Sequence, residues 1–345
     1  MTGIPVLRRH DYRLDDEQIA VQESFRGYFA SKVSSSRVRA AQPVGFDPAL
    51  WDDLRERAII SMGLPETSGG DGAGLLELAL VCEEAGRRAV PAPLPEVLAA
   101  VRGLARLNVA PDVVAQIRDG AAIATVAPGD GDRRLVPGGA IAATVVAPRG
   151  HDLVLLRGAP PSVEPNLADL PLGRWRVGLD DGAVVGSSDD WVAIEREWHL
   201  LTAATLVGLG QAALTLGVQY AKDRLAFGVP IGAFQAVAHP LVDAANAIDA
   251  SRRLLWRAAW FSDHEPDHVG AQVLSALVGA GDAAERAGAA AIHTQGGFGV
   301  TLESDVQIYY RRAKGLAVMA GDRRTLLRRI ARCAIGSADT EEPAW

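Results

Sequence analysis

Apolar side chains recur every three or four positions over the first third of the chain, fall into short alternating runs in the middle, and return to helical spacing for the remainder. Asp15 and Gln18 have the separation of a capping box, and behind them Val21, Phe25, Tyr28 and Phe29 share one helical face. A further helix is predicted to start at Asp47 and Pro48. There an aspartate caps while proline fills the first turn, and Trp51, Leu54 and Ala58 form the apolar stripe. The run LPETSGGDGAG at 64–74 forces a loop, Leu75, Leu78, Cys82 and Ala85 restore the period as far as Gly86, and Pro91 and Pro93 break it again.

Between about 121 and 196 the period shortens. AIATVA, AIAATVVA, LVLLRG, RWRVGLD and WVAIER are apolar or alternating runs separated by Gly, Pro and Asp, the pattern of short strands. From Trp198 onward Leu200, Ala204, Val207, Gln211, Leu214, Val218 and Ala221 align along one long helix. Helical runs follow at about 233–263, 268–292 and 303–317, with a short one near Asp322. The expected fold is α+β and mostly helical: a helical amino-terminal domain (1–120), a small β domain (121–196) and a carboxy-terminal four-helix bundle (197–345). No internal repeat or low-complexity segment interrupts it.

Composition narrows the function classes. The 345 residues are 48% hydrophobic and 22% charged, an ordinary globular balance. A net charge of −7 gives no basic footprint for nucleic acid, and the 32 Arg against 3 Lys reads as a codon bias. No apolar run of about 20 residues suggests a membrane span, and Met1–Arg9 lacks a secretory leader, so a cytoplasmic location is expected. Cys82 and Cys333 lack metal or disulfide spacing and read as buried free thiols.

Three segments carry candidate chemistry. YAKDRLAFGVPIGAFQ at 220–235 joins a helix end, an arginine, a tight turn and a new helix start; TQGGFG at 294–299 is a glycine turn; YYRRAKGLAVMAGD at 309–322 ends a helix. The glycine turn lies between helices and so is no dinucleotide fingerprint, and Gly208-Leu209-Gly210 reads as close helix packing. SDHEPDHVG at 262–270 contains Asp263, His264, Glu265, Asp267 and His268. Its proline argues for a solvated loop over a metal site. His239 and His293 read as packed histidines.

Taken together, these segments and the LPETSGG loop resemble the acyl-CoA dehydrogenase family, and the resemblance extends over most of the chain. It implies FAD, with Arg224, Phe227 and Gln235 meeting the diphosphate and adenosine parts of a flavin held mainly by a neighbouring subunit. Gln295 and Gly297 are then placed at its adenine end. A guanidinium fork suits a diphosphate, although Arg224 in that position can also simply cap a helix.

The family's catalytic glutamate aligns with Ala320, or at its alternative position with Trp198. That leaves no confident base. Glu197 is one residue off, a rotation of about 100° on a helix, and Asp322 reads as a helix cap; both stand as fallback bases, with the Ala320 N–H as a possible carbonyl contact. The β domain also lacks the family's TEPxxGSD-like segment. The resemblance therefore points to the non-catalytic partner in actinobacterial α₂β₂ acyl-CoA dehydrogenases, several of which act on steroid side-chain CoA thioesters. It implies a homologous base-carrying subunit, an acyl-CoA substrate and electron-transfer flavoprotein as acceptor. The open alternatives are a self-sufficient homomer, a structural or regulatory subunit, and a flavin monooxygenase.

Overall fold

A computed structural model describes residues 12–178, 181–266 and 269–335. Six helices lead: α1 (Asp16–Lys32), α2 (Ser35–Ala40), α3 (Pro48–Glu56), α4 (Leu75–Arg87), α5 (Leu94–Arg106) and α6 (Pro111–Arg118). The capping box of α1 forms as its spacing predicts: Asp15 accepts from the Gln18 N–H at 2.8 Å, and the Gln18 side chain accepts from the Asp15 N–H at 3.1 Å. Asp47 caps α3 through the Leu50 N–H at 3.0 Å. The α3 stripe ends early, however. Ala58 is exposed at a φ of 59°, and the chain turns there to bury Ile59 and Ile60 in its place.

The middle of the chain forms β1 (Ala124–Val126), β2 (Arg133–Val136), β3 (Thr144–Arg149), β4 (Asp152–Arg157), β5 (Gly173–Arg176) and β6 (Ala183–Ser187). One sheet has the order β1-β3-β4-β6, with β1 parallel to β3 and the other pairs antiparallel, while β2 and β5 make a separate antiparallel pair. WVAIER is not a strand. Ser187 and Asp190 close a capping box that starts α7 at Ser188, and the helix runs unbroken to Asp223. Trp191 and Ile194 are buried from this helix, so residues 188–196 extend the bundle rather than the sheet.

The bundle consists of α7 (Ser188–Asp223), α8 (Gln235–His264), α9 (Gly270–Gln295) and α10 (Val306–Ala320), with α11 (Arg323–Ile335) packed on α9. Among the described residues α7 is the one helix long and apolar enough to cross a membrane, but 67% of its most apolar stretch is buried inside the protein. That burial marks a core helix. Its approach to α4 depends on glycine: a Cβ on Gly208 would lie 2.0 Å from the Glu83 carbonyl oxygen, and one on Gly86 2.2 Å from that of Thr205. Backbone cannot yield as a flexible side chain can, so Gly208→Ala is expected to destabilise by about 1–3 kcal/mol through overpacking. Chemical denaturation of the variant checks this.

Candidate functional site: the open end of the helical bundle

At the end of α7 the chain reverses through a two-stranded hairpin, β7 (Leu225–Ala226) and β8 (Val229–Pro230). Its turn residues Phe227 and Gly228 have φ of 54° and 82°, the pair of positive values that a two-residue hairpin turn requires. A phenylalanine in that conformation carries backbone strain. It is also 97% exposed, touching Phe234 edge-on at 6.1 Å between ring centroids. Neither local propensity nor core packing favours this placement of the ring.

Arg224 is the residue that ends α7, and it does so through its main chain: its N–H donates to the Tyr220 carbonyl, and its own carbonyl accepts from the Ile231 N–H at 2.8 Å. The guanidinium is left exposed. Gln235 is exposed at the start of α8. Because α7, α8 and α9 run up, down and up, the close of α9 returns to the same end as the hairpin. Gly217 of α7, packed against both Ala291 of α9 and Leu241 of α8, fixes that level. Gln295 is half-buried there and accepts from the Ser304 hydroxyl at 2.7 Å, and its amide NH₂ has no protein acceptor among the described residues. The next residues form a short 3₁₀ turn, where Gly297 is exposed and a Cβ on it would meet nothing within 4 Å. Arg224, Phe227, Gln235, Gln295 and Gly297 thus share one end of the bundle.

Ala320 lies elsewhere. It is buried at the close of α10, and its carbonyl is 3.0 Å from Nε2 of the buried His199 on α7. Burial pushes the His199 imidazole below its usual pKa and keeps it neutral. Residues 199 and 224 are about 37 Å apart along α7 at 1.5 Å per residue. As the last residue of α10, Ala320 has its N–H inside the helical turn, directed back along the helix.

Both fallback residues have partners. Glu197 faces α5, where Arg102 Nε donates to it at 3.1 Å and Arg106 Nη1 donates to its other oxygen. Asp322 accepts from the Thr325 N–H at 2.8 Å and the Thr325 hydroxyl at 2.9 Å, which hold its carboxyl below the usual range and make it the cap of α11. Sequence reasoning missed Glu96, on the first turn of α5. Trp198, at the alternative base position, donates its indole N–H to Glu96 Oε1 at 3.4 Å. Burial raises the Glu96 pKa, so its carboxyl is protonated above the ordinary glutamate value. An acid in a first helical turn gives no local signal of such burial.

The sign of that shift sets a pH dependence. Between the unfolded and the raised folded pKa the native state holds the extra proton, so Glu96 contributes stability at low pH that is lost as pH rises. Glu96→Gln is expected to flatten this slope, as denaturation at about pH 5 and pH 8 would record.

Other readings are corrected by burial. His239 and His293 are exposed rather than packed, and Cys333 is exposed while Cys82 is buried. Asp263 and His264 belong to the last turn of α8, where His264 stacks on Trp260 at 4.7 Å; Asp267 and His268 lie outside the described residues. Among the described residues no three His, Cys, Asp or Glu side chains group to hold a metal. Gly208 and Gly210 are close-packing glycines, as their spacing suggests.

Residues 15–110 match the acyl-CoA dehydrogenase N-terminal domain, and residues 197–335 match the C-terminal domain. The chain belongs to the acyl-CoA dehydrogenase family. It is 30% identical over 323 residues to acyl-CoA dehydrogenase IpdE2 of Mycolicibacterium smegmatis, covering 92% of this chain and 98% of that protein. The ChsE4-ChsE5 complex from Mycobacterium tuberculosis contains a chain 26% identical to it, with a TM-score of 0.84 over 97% of this chain and 100% of that one. The Tcur3481-Tcur3483 steroid acyl-CoA dehydrogenase G363A variant gives a TM-score of 0.85 at 26% identity, over 94% and 99%. An oxidoreductase that uses FAD follows from membership of this acyl-CoA dehydrogenase family.

Proposed function

We propose that this chain is the base-lacking subunit of a heteromeric FAD-dependent acyl-CoA dehydrogenase. It holds the nucleotide end of a flavin whose reactive ring and proton acceptor belong to a homologous chain. One observation carries the reading: the exposed Arg224–Phe227 hairpin follows the carboxy-terminal end of α7, whereas the buried Ala320 carbonyl meets His199 in its amino-terminal half, about 37 Å away along the helix axis. A cofactor gripped at the hairpin therefore reaches outward to a neighbour rather than inward to Ala320.

The residues present fit the nucleotide end. Arg224 offers a planar fork of donors to a diphosphate, Phe227 an apolar face, Gln235 and the free Gln295 amide hydrogen-bonding groups, and Gly297 open backbone. When bound, FAD supplies the hydride acceptor of α,β-dehydrogenation. The family's chemistry also needs a base at the proton next to the thioester carbonyl, and Ala320, Glu197 and Asp322 cannot provide it here. The ChsE4-ChsE5 complex and the steroid acyl-CoA dehydrogenase Tcur3481-Tcur3483 each pair two differently named chains, which supports a heteromer, and the second supports a steroid-type CoA thioester. Electron-transfer flavoprotein fits as the acceptor, and the cytoplasm as the location.

Purification of the chain alone and together with a homologous base-carrying chain tests the reading. The expected result is a colourless, inactive lone chain and a yellow complex that reduces an artificial acceptor with acyl-CoA. Loss of a positioned base typically costs ~10²–10⁴ in rate. A lone chain that holds FAD and turns over at the rate of the complex overturns the proposal.

A further inference from the structure

His199 is a buried side chain of α7 that the flavin reading does not use. Its Nε2 lies 3.0 Å from the Ala320 carbonyl at the close of α10, and a carbonyl only accepts, so the ring proton sits on Nε2. Nδ1 is then a bare lone pair. It is buried without a partner among the described residues, as is the hydroxyl of Thr202 one turn further along the same helical face.

One turn earlier, Glu195 ties α7 to α11. Its side chain is 13% exposed and accepts from Arg329 Nη2 at 2.6 Å. Glu195 of α7 and Arg329 of α11 are the charged groups that act on the imidazole, and α10 faces it with the Ala320 carbonyl. Elsewhere α11 is held by the buried Leu326 and by the exposed Arg323–Asp282 pair across to α9. An exposed pair of that kind contributes about 0–1 kcal/mol, so the less exposed Glu195–Arg329 pair is the stronger of the two ties.

We infer that His199 is an acid-sensitive latch for α11. A second proton, on Nδ1, finds no acceptor and makes the ring a buried cation. The carboxylate that attracts this cation is Glu195, four positions back on the same helical face and already engaged by Arg329. One carboxylate then serves two cations, and Arg329, whose side chain is 38% exposed, is the one that water can take up. The helix loosens, uncovering Leu326 and the apolar groove that it lines with Leu277 and Ala317. Burial holds the ring below its ordinary pKa, so the docked state binds the proton less readily than the released one. Docking is therefore complete at neutral pH and is lost as pH falls. The latch needs neither FAD nor a second chain and stands apart from the flavin reading.

Hydrogen exchange of the full chain at about pH 7.5 and about pH 5.5, read by mass spectrometry and normalised to intrinsic rates, tests this. Protection over α11 is expected to fall about three- to tenfold at the lower pH, since an imidazole of ordinary pKa, ~6.5, is about tenfold protonated one pH unit below it. Helices α8 and α9 should keep theirs. His199→Gln retains a donor for the Ala320 carbonyl and cannot titrate, so its α11 should exchange alike at both pH values. Glu195→Gln should lower α11 protection already at neutral pH. A change below about twofold in the wild-type α11, an equal loss over α8 and α9, or a pH effect that persists in His199→Gln overturns the assignment. The wild-type comparison between helices decides by itself if the variant at 199 fails to fold.

Discussion

Glu197→Ala is expected to lower the unfolding free energy by about 3–5 kcal/mol, because removing one partner of a buried ion pair leaves the other charge uncompensated. Glu197 has an 8% exposed side chain and joins α7 to α5 by accepting from both Arg102 and Arg106. Arg106 is 42% exposed and can recover water, so most of the cost falls on Arg102. That guanidinium also donates to the Gly63 and Ala73 carbonyls, so the loop after α3 is held through the same group. Guanidinium chloride denaturation measures the effect. A loss below about 1 kcal/mol would reopen the case for Glu197 as a catalytic carboxylate, because a residue placed for proton transfer need not be tied into the fold.

Arg224→Ala is expected to weaken FAD retention in the assembled complex by about 10–150-fold, in line with the ~1.5–3 kcal/mol of a hydrogen bond to a charged group. The stability of the chain should move by less than about 0.5 kcal/mol, since the side chain is exposed and only the main chain caps α7. The contrast separates a binding role from a structural one. Flavin content after gel filtration, with the melting temperature of the same sample, reads both. Unchanged flavin content would remove Arg224 from the cofactor site.

Local rules carried much of the fold. The caps at Asp15, Asp47 and Asp322 form where their spacing places them, and the periodic segments become α4, α7, α8, α9 and α10. The same rules failed where two patterns overlapped. Trp191, Val192 and Ile194 are strand formers, yet the Ser187–Asp190 box starts a helix ahead of them, and a long helix packed in the bundle outweighs a short β preference. Strands β2 and β6 escaped notice because Arg133 and Arg134 interrupt one apolar pattern, and because the other is a short run next to that box.

The candidate site was legible in part. Arg224, Phe227 and Gln235 lie in one continuous segment, so their shared location needed little beyond the turn between two helices. The exposure and strained φ of Phe227 were not written in the residues around it. Nor was the occupation of Glu197, whose partners lie more than 90 positions away.

The order of elements, their caps and the residue types at the bundle's open end are settled by the sequence itself, because backbone hydrogen bonding and helical periodicity act over a few neighbouring positions. Which carboxylates are free, which histidines are exposed, and that His199 meets the Ala320 carbonyl were decided only by tertiary structure. Those properties depend on desolvation and on charge partners that distant segments bring, and neither leaves a mark in local spacing.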